Sequence, residues 1–238
     1  LSTNHILMIG MIVTFILTFF LLEHPFPFLP SDQGRAFAVN GSLSKGKLRG
    51  VGFIFVLCFL ISSVLFLPID VEYVIYAILL FAMMISGYLD DASKTPWNEY
   101  KKGLIDLVIS VVAVLTYMNF NSTTICFGAD EIVIPKALFL ILGVILIWVS
   151  VNVTNCTDGV DGLCASLCSV TLLAFGVLFA SVLQKYAMAN FLFLSVLFAY
   201  LYFNSSPSSM LMGDAGSRAL GFYIAVIALK STHPFIYI

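Results

Sequence analysis

"ALFLILGVILIWVSVNVTNCTDGVDGLCASLCSVTLLAFGVLFASVL", residues 137–183, joins two apolar runs, 137–151 and 163–183, through a short polar segment. Each run approaches the ~20 residues a helix needs to cross the hydrocarbon of a bilayer. The join holds Asn152, Thr154, Asn155, Thr157, Asp158, Gly159, Asp161 and Gly162. A turn between membrane helices needs polar groups, but two acids, two amides and two glycines exceed what capping one helix demands. The join is either a bend or the floor of a site.

Working outward, the 238 residues are 61% apolar and only 10% charged, with a mean hydropathy of +1.05. Soluble domains are about 45–50% apolar and about a quarter charged. This composition predicts an all-α, polytopic transmembrane bundle forming one domain over 1–238. Basic residues are few and form no tract interleaved with aromatics, so no nucleic-acid partner is expected. Of the cysteines, Cys58, Cys164 and Cys168 lie in apolar runs, where a thiol acts as a small hydrophobe. With no C-x-x-C pair, neither a zinc site nor a dithiol redox motif is expected. The chain begins at Leu1 and stops within an apolar run, and it is expected to lack its C-terminal helices.

Apolar runs bounded by polar or Pro-rich segments predict eight spans, near 5–22, 51–67, 72–89, 104–118, 137–151, 163–183, 189–203 and 219–238. The first is no signal peptide: it lacks a basic leader and precedes "EHPFPFLP" instead of a small-residue cleavage site. Loops after the odd-numbered spans carry Arg35, Lys45, Lys47, Arg49, Lys94, Lys101, Lys102 and Arg218. Those after the even-numbered spans carry only Lys136 and Lys185. Cytoplasmic loops concentrate Lys and Arg, so the N-terminus is placed outside and the join at 152–162 in the cytoplasm.

Two further polar clusters fall on that same side. "YLDDASK" (88–94) ends the third span with adjacent carboxylates, Asp90 and Asp91, which repel each other unless a cation offsets them. Adjacent helical residues face different ways, so one acid could hold metal while the other meets a different partner. In the join, Thr157 or Asp158 could cap the sixth span. In "NSSPSSMLMGDAGSRALGF" (204–222), Asp214 stands between Gly213 and Gly216, and Ser217 or the turn itself could start the last span. Each cluster alone reads as a polar helix end. Together they gather five carboxylates and the amides of Asn152, Asn155 and Asn204 at one membrane surface. Repelling carboxylates call for Mg²⁺, a hard cation that takes oxygen ligands and shares them with phosphates. The residues thus point to a Mg²⁺-dependent site for a phosphorylated, water-soluble substrate beside the lipid bilayer.

"DDASK", "NVTNCTDGVDGL" and "NSSPSSMLMGDAGS" resemble the polyprenyl-phosphate N-acetylhexosamine-1-phosphate transferase superfamily, from about Gly34 to Phe222. "TNCTDGVDGL" is most similar to its phospho-N-acetylmuramoyl-pentapeptide transferase family. The resemblance implies a ten-helix enzyme of the bacterial cytoplasmic membrane, with a cleft open to the cytoplasm. It implies transfer of phospho-MurNAc-pentapeptide from UDP-MurNAc-pentapeptide to undecaprenyl phosphate, with release of UMP, and a homodimer. By position, Asp90 and Asp91 match the catalytic pair and Asp214 the Mg²⁺ ligand, with Lys94 and Asn204 in the same site. Asn155, Asp158, Gly159 and Asp161, beside Asn152, match the stretch framing the uridine. Lys102, in "YKKGLI", is a weaker match to a residue that meets phosphate.

Three features depart from the family pattern. Leu211 stands where a Phe commonly stacks on uracil, "GKLRGVG" replaces a "PTMGG" loop, and no His-rich loop precedes Ile238. His233 is not expected to fill that role. Two other functions compete. One is a transferase that uses UDP-GlcNAc. The other is a transporter with cation-binding loops, for which only Asp106 and Lys230 are intramembrane candidates, without evident partners. Transport sites usually lie near the midplane, whereas these acids cluster at one edge.

Overall fold

The structure, a computed structural model, describes residues 2–24, 26–32, 34, 44–127 and 130–232. Its helices are α1 (Thr3–Glu23), α2 (Gly52–Phe66), α3 (Val71–Asp91), α4 (Glu99–Phe120), α5 (Lys136–Thr157), α6 (Leu163–Phe179), α7 (Gln184–Asn204) and α8 (Gly213–Lys230). Between α4 and α5 lies a hairpin of β1 (Thr124–Phe127) and β2 (Asp130–Val133). Helices α1, α3, α4, α5 and α7 are each long and apolar enough to cross a membrane, and α2 and α6 are shorter apolar helices. The chain is a polytopic, all-α membrane protein.

The least apolar of these elements is the central one. Helix α8 carries Asp214, Arg218 and Lys230, and every residue from Gly213 to Lys230 is buried. It packs chiefly on α3 and α5, with α2 against its first half. Lipid is as apolar as any protein core, so charge in a bundle moves to the helix shielded from lipid by its neighbours. Two glycines set how closely the start of α8 is held. A Cβ at Gly52 would lie 2.1 Å from the Gly216 nitrogen, and one at Gly87 would lie 2.3 Å from the Asp214 carbonyl oxygen. Small residues of this kind let membrane helices touch backbone to backbone. Deeper in the bundle Phe59 stacks on Phe193 at 4.2 Å, with Tyr223 edge-on to both, which locks α2, α7 and α8 together.

Several boundaries differ from the sequence expectation, each for a local reason. Helix α5 runs on to Thr157, so Asn152 to Thr157 form its last turns instead of a loop. The Thr157 hydroxyl donates to the Val153 carbonyl and Asp158 ends α5, so neither caps α6. That position belongs to Gly162, at φ 76°, a conformation glycine adopts without a Cβ clash. The last span begins at Gly213 instead of 219, because Asp91 supplies its cap from another helix, and Ser217 lies inside it. The hairpin, paired from Thr124↔Val133 to Phe127↔Asp130, joins two stretches rich in Thr, Ile and Val that suit a pleated strand. Asp106 and Lys230 do have partners: Arg218 and Glu72. Arg218 is therefore a buried residue of α8 and not a loop cation. His233, Arg35 and the end of the last expected span lie outside the described residues.

Candidate active site

The site is built where α3 ends and α8 begins. Asp90 and Asp91 close α3, and consecutive helical side chains diverge. Asp91 turns to α8: Oδ1 accepts from the Asp214 N–H at 3.1 Å and Oδ2 from the Ala215 N–H at 3.0 Å. A carboxylate there satisfies two of the helix's unpaired donors and meets the positive end of its dipole. Gly213 is required beside it. Its φ is 65°, and a Cβ would come within 2.4 Å of Asp91 Oδ2.

Asp90 turns the other way. Its Oδ1 accepts from the Trp97 N–H at 2.6 Å, which folds the 92–98 turn back, and Asn98 then caps α4 through the Tyr100 N–H at 3.0 Å. One turn into α4, Lys102 reaches into the cleft, with Nζ 2.6 Å from Asp90 Oδ2 and 3.3 Å from Asp214 Oδ2. On the far side stands Arg49, in the loop before α2. Its Nε lies 2.9 Å from Asp91 Oδ1, its Nη2 3.4 Å from Asp214 Oδ1 and its Nη1 3.6 Å from Asp32 Oδ1. Burial works against the Arg49 charge, but Asp91, Asp214 and Asp32 outweigh it and hold its pKa above the usual guanidinium value. Among the described residues, the carboxylates Asp32, Asp90, Asp91 and Asp214 thus meet two cations, Arg49 and Lys102.

A second tier of contacts ties the surrounding loops. The Asn204 amide accepts from the Gly162 N–H at 3.0 Å and donates to the Met210 carbonyl at 3.0 Å, which pins the α5–α6 turn to the segment before α8. Asp161 accepts from the Ser208 N–H and hydroxyl at 3.0 and 2.8 Å, and Lys47 stands over the pair, 2.9 Å from Ser208 Oγ. Asn155 donates to Ser217 Oγ at 3.2 Å, which binds α5 to α8 directly behind Asp214.

Among the residues singled out in the sequence, the structure therefore gathers Asp90, Asp91, Asp214, Lys102 and Asn155 at the cleft. Asp158 adds its charge to the field at Arg49. Asp161 and Asn204 brace the rim. Lys94 is exposed and stands in none of these ion pairs, and Gly159 is exposed in the turn. Asn152 is exposed and donates back to its own helix, at the Trp148 carbonyl. Leu211 is buried, its N–H bonded to the Leu48 carbonyl at 2.8 Å. Arg49 and Asp32 were not singled out. Arg49 sits in the "GKLRGVG" departure, a basic residue just before a span whose loop was otherwise read only for orientation.

A divalent cation fits this donor set in kind. Among the described residues no three His, Cys, Asp or Glu side chains form a metal cage. Mg²⁺ does not need one: it commonly takes one or two carboxylates and completes its shell with phosphate oxygens and water. Asp90 and Asp214, both in contact with Lys102, offer hard oxygens of the kind such an ion takes.

At the opposite end of α3 and α8 lies another polar cluster. Lys230 Nζ donates to Glu72 Oε1 and Oε2 at 3.1 and 3.0 Å and to Asn121 Oδ1 at 2.7 Å. Asn121, Tyr76 and Tyr186 donate to the same carboxylate. Beside it is a cleft of about 520 Å³ lined by Tyr117, Phe175, Phe179 and Leu183 among others.

The model of glycosyl transferase family 4 matches residues 73–232, and the chain is a membrane transferase of that class. The phospho-N-acetylmuramoyl-pentapeptide-transferase of Treponema pallidum (strain Nichols) is 35% identical over 250 residues, covering 96% of this chain and 69% of its own length. Enzymes of that name from Halalkalibacterium halodurans and Dictyoglomus turgidum are 29% and 26% identical, over 96% and 94% of this chain and 76% and 74% of their own. The chain belongs to the phospho-N-acetylmuramoyl-pentapeptide-transferase family.

Proposed function

We propose that this enzyme transfers phospho-MurNAc-pentapeptide from its UDP carrier to undecaprenyl phosphate at the cytoplasmic face of a bacterial inner membrane. The observation that carries this reading is the gathering of Asp90, Asp91 and Asp214 in one cleft with two cations, Arg49 and Lys102, that touch them. Such a cleft can exchange its internal ion pairs for contacts with a diphosphate. A Mg²⁺ ion held by Asp214 and Asp90 would neutralise the diphosphate and the charge that develops on departing UMP.

The protein's own groups supply positioning. Arg49 and Lys102 approach the cleft from opposite sides, and each can turn from carboxylate to phosphate oxygen without leaving the site. Asp91, committed to the start of α8, fixes where Asp214 stands. A phosphate monoester has a second pKa of about 6, so the lipid phosphate is largely ionised at neutral pH. Its oxygen can attack the β-phosphorus directly. The new O–P bond forms as the bond from that phosphorus to the bridging oxygen breaks, and that oxygen leaves with UMP. Catalysis of this kind rests mainly on alignment and charge neutralisation. Asp90 can accept any residual proton.

The test is UMP release by the purified protein in detergent with undecaprenyl phosphate, comparing UDP-MurNAc-pentapeptide with UDP-GlcNAc, each with Mg²⁺ and with EDTA. Mg²⁺-dependent release from the pentapeptide substrate alone is expected. Release from UDP-GlcNAc alone would move the enzyme to another pathway, and release in EDTA would remove the metal.

A further inference from the structure

Asp106 lies four residues after Lys102 on α4, and Arg218 lies four residues after Asp214 on α8. Residues four apart share a helix face. Below the Lys102–Asp214 contact there is accordingly a second charge pair of the opposite sense, with Arg218 Nη2 donating to Asp106 Oδ1. Both residues are only 2% exposed, and the Nε and Nη1 of Arg218 have no acceptor among the described residues.

We propose that Arg218 is a positioning residue: by engaging Asp106, it keeps that carboxylate off Lys102 and leaves Lys102 to bridge Asp90 and Asp214. The reasoning is electrostatic. A buried carboxylate without a cation is costly inside a bundle. If Arg218 were absent, the cation nearest Asp106 along its own helix face would be Lys102, one turn away. Lys102 would then swing inward, and Asp90 would lose the ammonium now 2.6 Å from it. The pair thus neutralises a charge that would otherwise compete with the cleft. This inference rests on the role given to Lys102 above.

The experiment measures kcat and KM for UMP release, with thermal unfolding of the same preparations, in Arg218→Leu, Arg218→Lys, Asp106→Ala/Arg218→Leu, Lys102→Ala and Lys102→Ala/Arg218→Leu. Arg218→Leu should lower kcat by about tenfold or more, and Arg218→Lys by much less. The Asp106→Ala/Arg218→Leu protein should return to within about threefold of the parent. In the Lys102→Ala background, Arg218→Leu should add nothing. A double neutral variant as slow as Arg218→Leu, with a parent-like unfolding temperature, would overturn the proposal. So would an undiminished further loss on top of Lys102→Ala. If Arg218→Leu alone does not fold, the double neutral variant decides: parent-like turnover supports the proposal and slow turnover overturns it. Amine acetylation of Lys102, followed by mass spectrometry, gives a readout free of turnover. It should slow in Arg218→Leu and recover in the double variant. That pattern in a protein releasing no UMP would overturn the transferase reading and keep the positioning role. UMP release with unchanged labelling would do the reverse.

Discussion

Helices α3 and α8 carry buried charge at both of their ends, and the two ends are balanced differently. At one end Glu72 meets Lys230 one to one, with Asn121, Tyr76 and Tyr186 filling the remaining hydrogen bonds. At the other, among the described residues, Asp32, Asp90, Asp91 and Asp214 outnumber Arg49 and Lys102. A paired and hydrogen-bonded cluster of this kind holds helices together. A cluster whose described acids outnumber its described cations, with Arg49 and Lys102 partly exposed to solvent, can receive a further cation. Charge balance, more than the presence of acids, separates the candidate site from the structural pair.

Mutations that treat the two ends alike should give different outcomes. The largest effect is expected for Asp214→Asn, which should lower UMP release by about a thousandfold, or about 4 kcal/mol of barrier, while the unfolding temperature stays near the parent's. Next comes Glu72→Leu, which strands Lys230 inside the bundle and should cost about 3–4 kcal/mol of stability in denaturant titration. Removing both partners in Glu72→Leu/Lys230→Met should recover most of that loss with kcat within about threefold of the parent. A tenfold fall in kcat in that double variant would break the contrast between the ends. Asp91→Ala should combine the two behaviours, losing about 2 kcal/mol of stability with the α8 cap and slowing turnover as Asp214 shifts.

The smallest effect is expected outside the buried clusters, at Asp70, which caps α3 through the Tyr73 N–H and pairs with Lys185. Burial pushes the Asp70 carboxyl upward, but Lys185 and the Tyr73 N–H outweigh it and hold it below the usual range. A depressed carboxyl stabilises the fold above its unfolded pKa of about 3.9, and the contribution fades as pH falls through the lower folded value. Because Asp70 is largely exposed, Asp70→Asn should cost less than about 1 kcal/mol, visible at neutral pH and gone in acid unfolding curves.

How much of this was legible in the sequence follows from the same contrast. Apolar runs revealed the helices because length and hydropathy are local properties. They did not reveal that α8 is the centre, since the interior of a membrane bundle is where polar residues are sheltered. The motifs located Asp90, Asp91 and Asp214, and the rule that neighbours on a helix diverge anticipated two jobs for the acidic pair. Which acid did which job depended on α8 arriving beside Asp91, a contact between residues far apart in the chain. The partners of Asp106 and Lys230 were hidden for the same reason: Arg218 lies 112 positions from Asp106, and Glu72 lies 158 from Lys230. Arg49 was visible as a charge but not as a site residue, because contacts between residues far apart in the chain, such as Leu48 with Met210 and Gly52 with Met212, bring its loop over the cleft. The hairpin was not singled out, because two strands of four residues are too short to show an alternating pattern.

The most direct measurement is Mn²⁺ binding, as a stand-in for Mg²⁺, followed by electron paramagnetic resonance on three proteins: the parent, Asp214→Asn and Glu72→Leu/Lys230→Met. The carboxylates gathered at the Asp90 end predict one bound ion in the parent, at least about tenfold weaker binding in Asp214→Asn, and parent-like binding in the double variant. Equal affinity in the parent and Asp214→Asn, or no binding in the parent, would contradict the account.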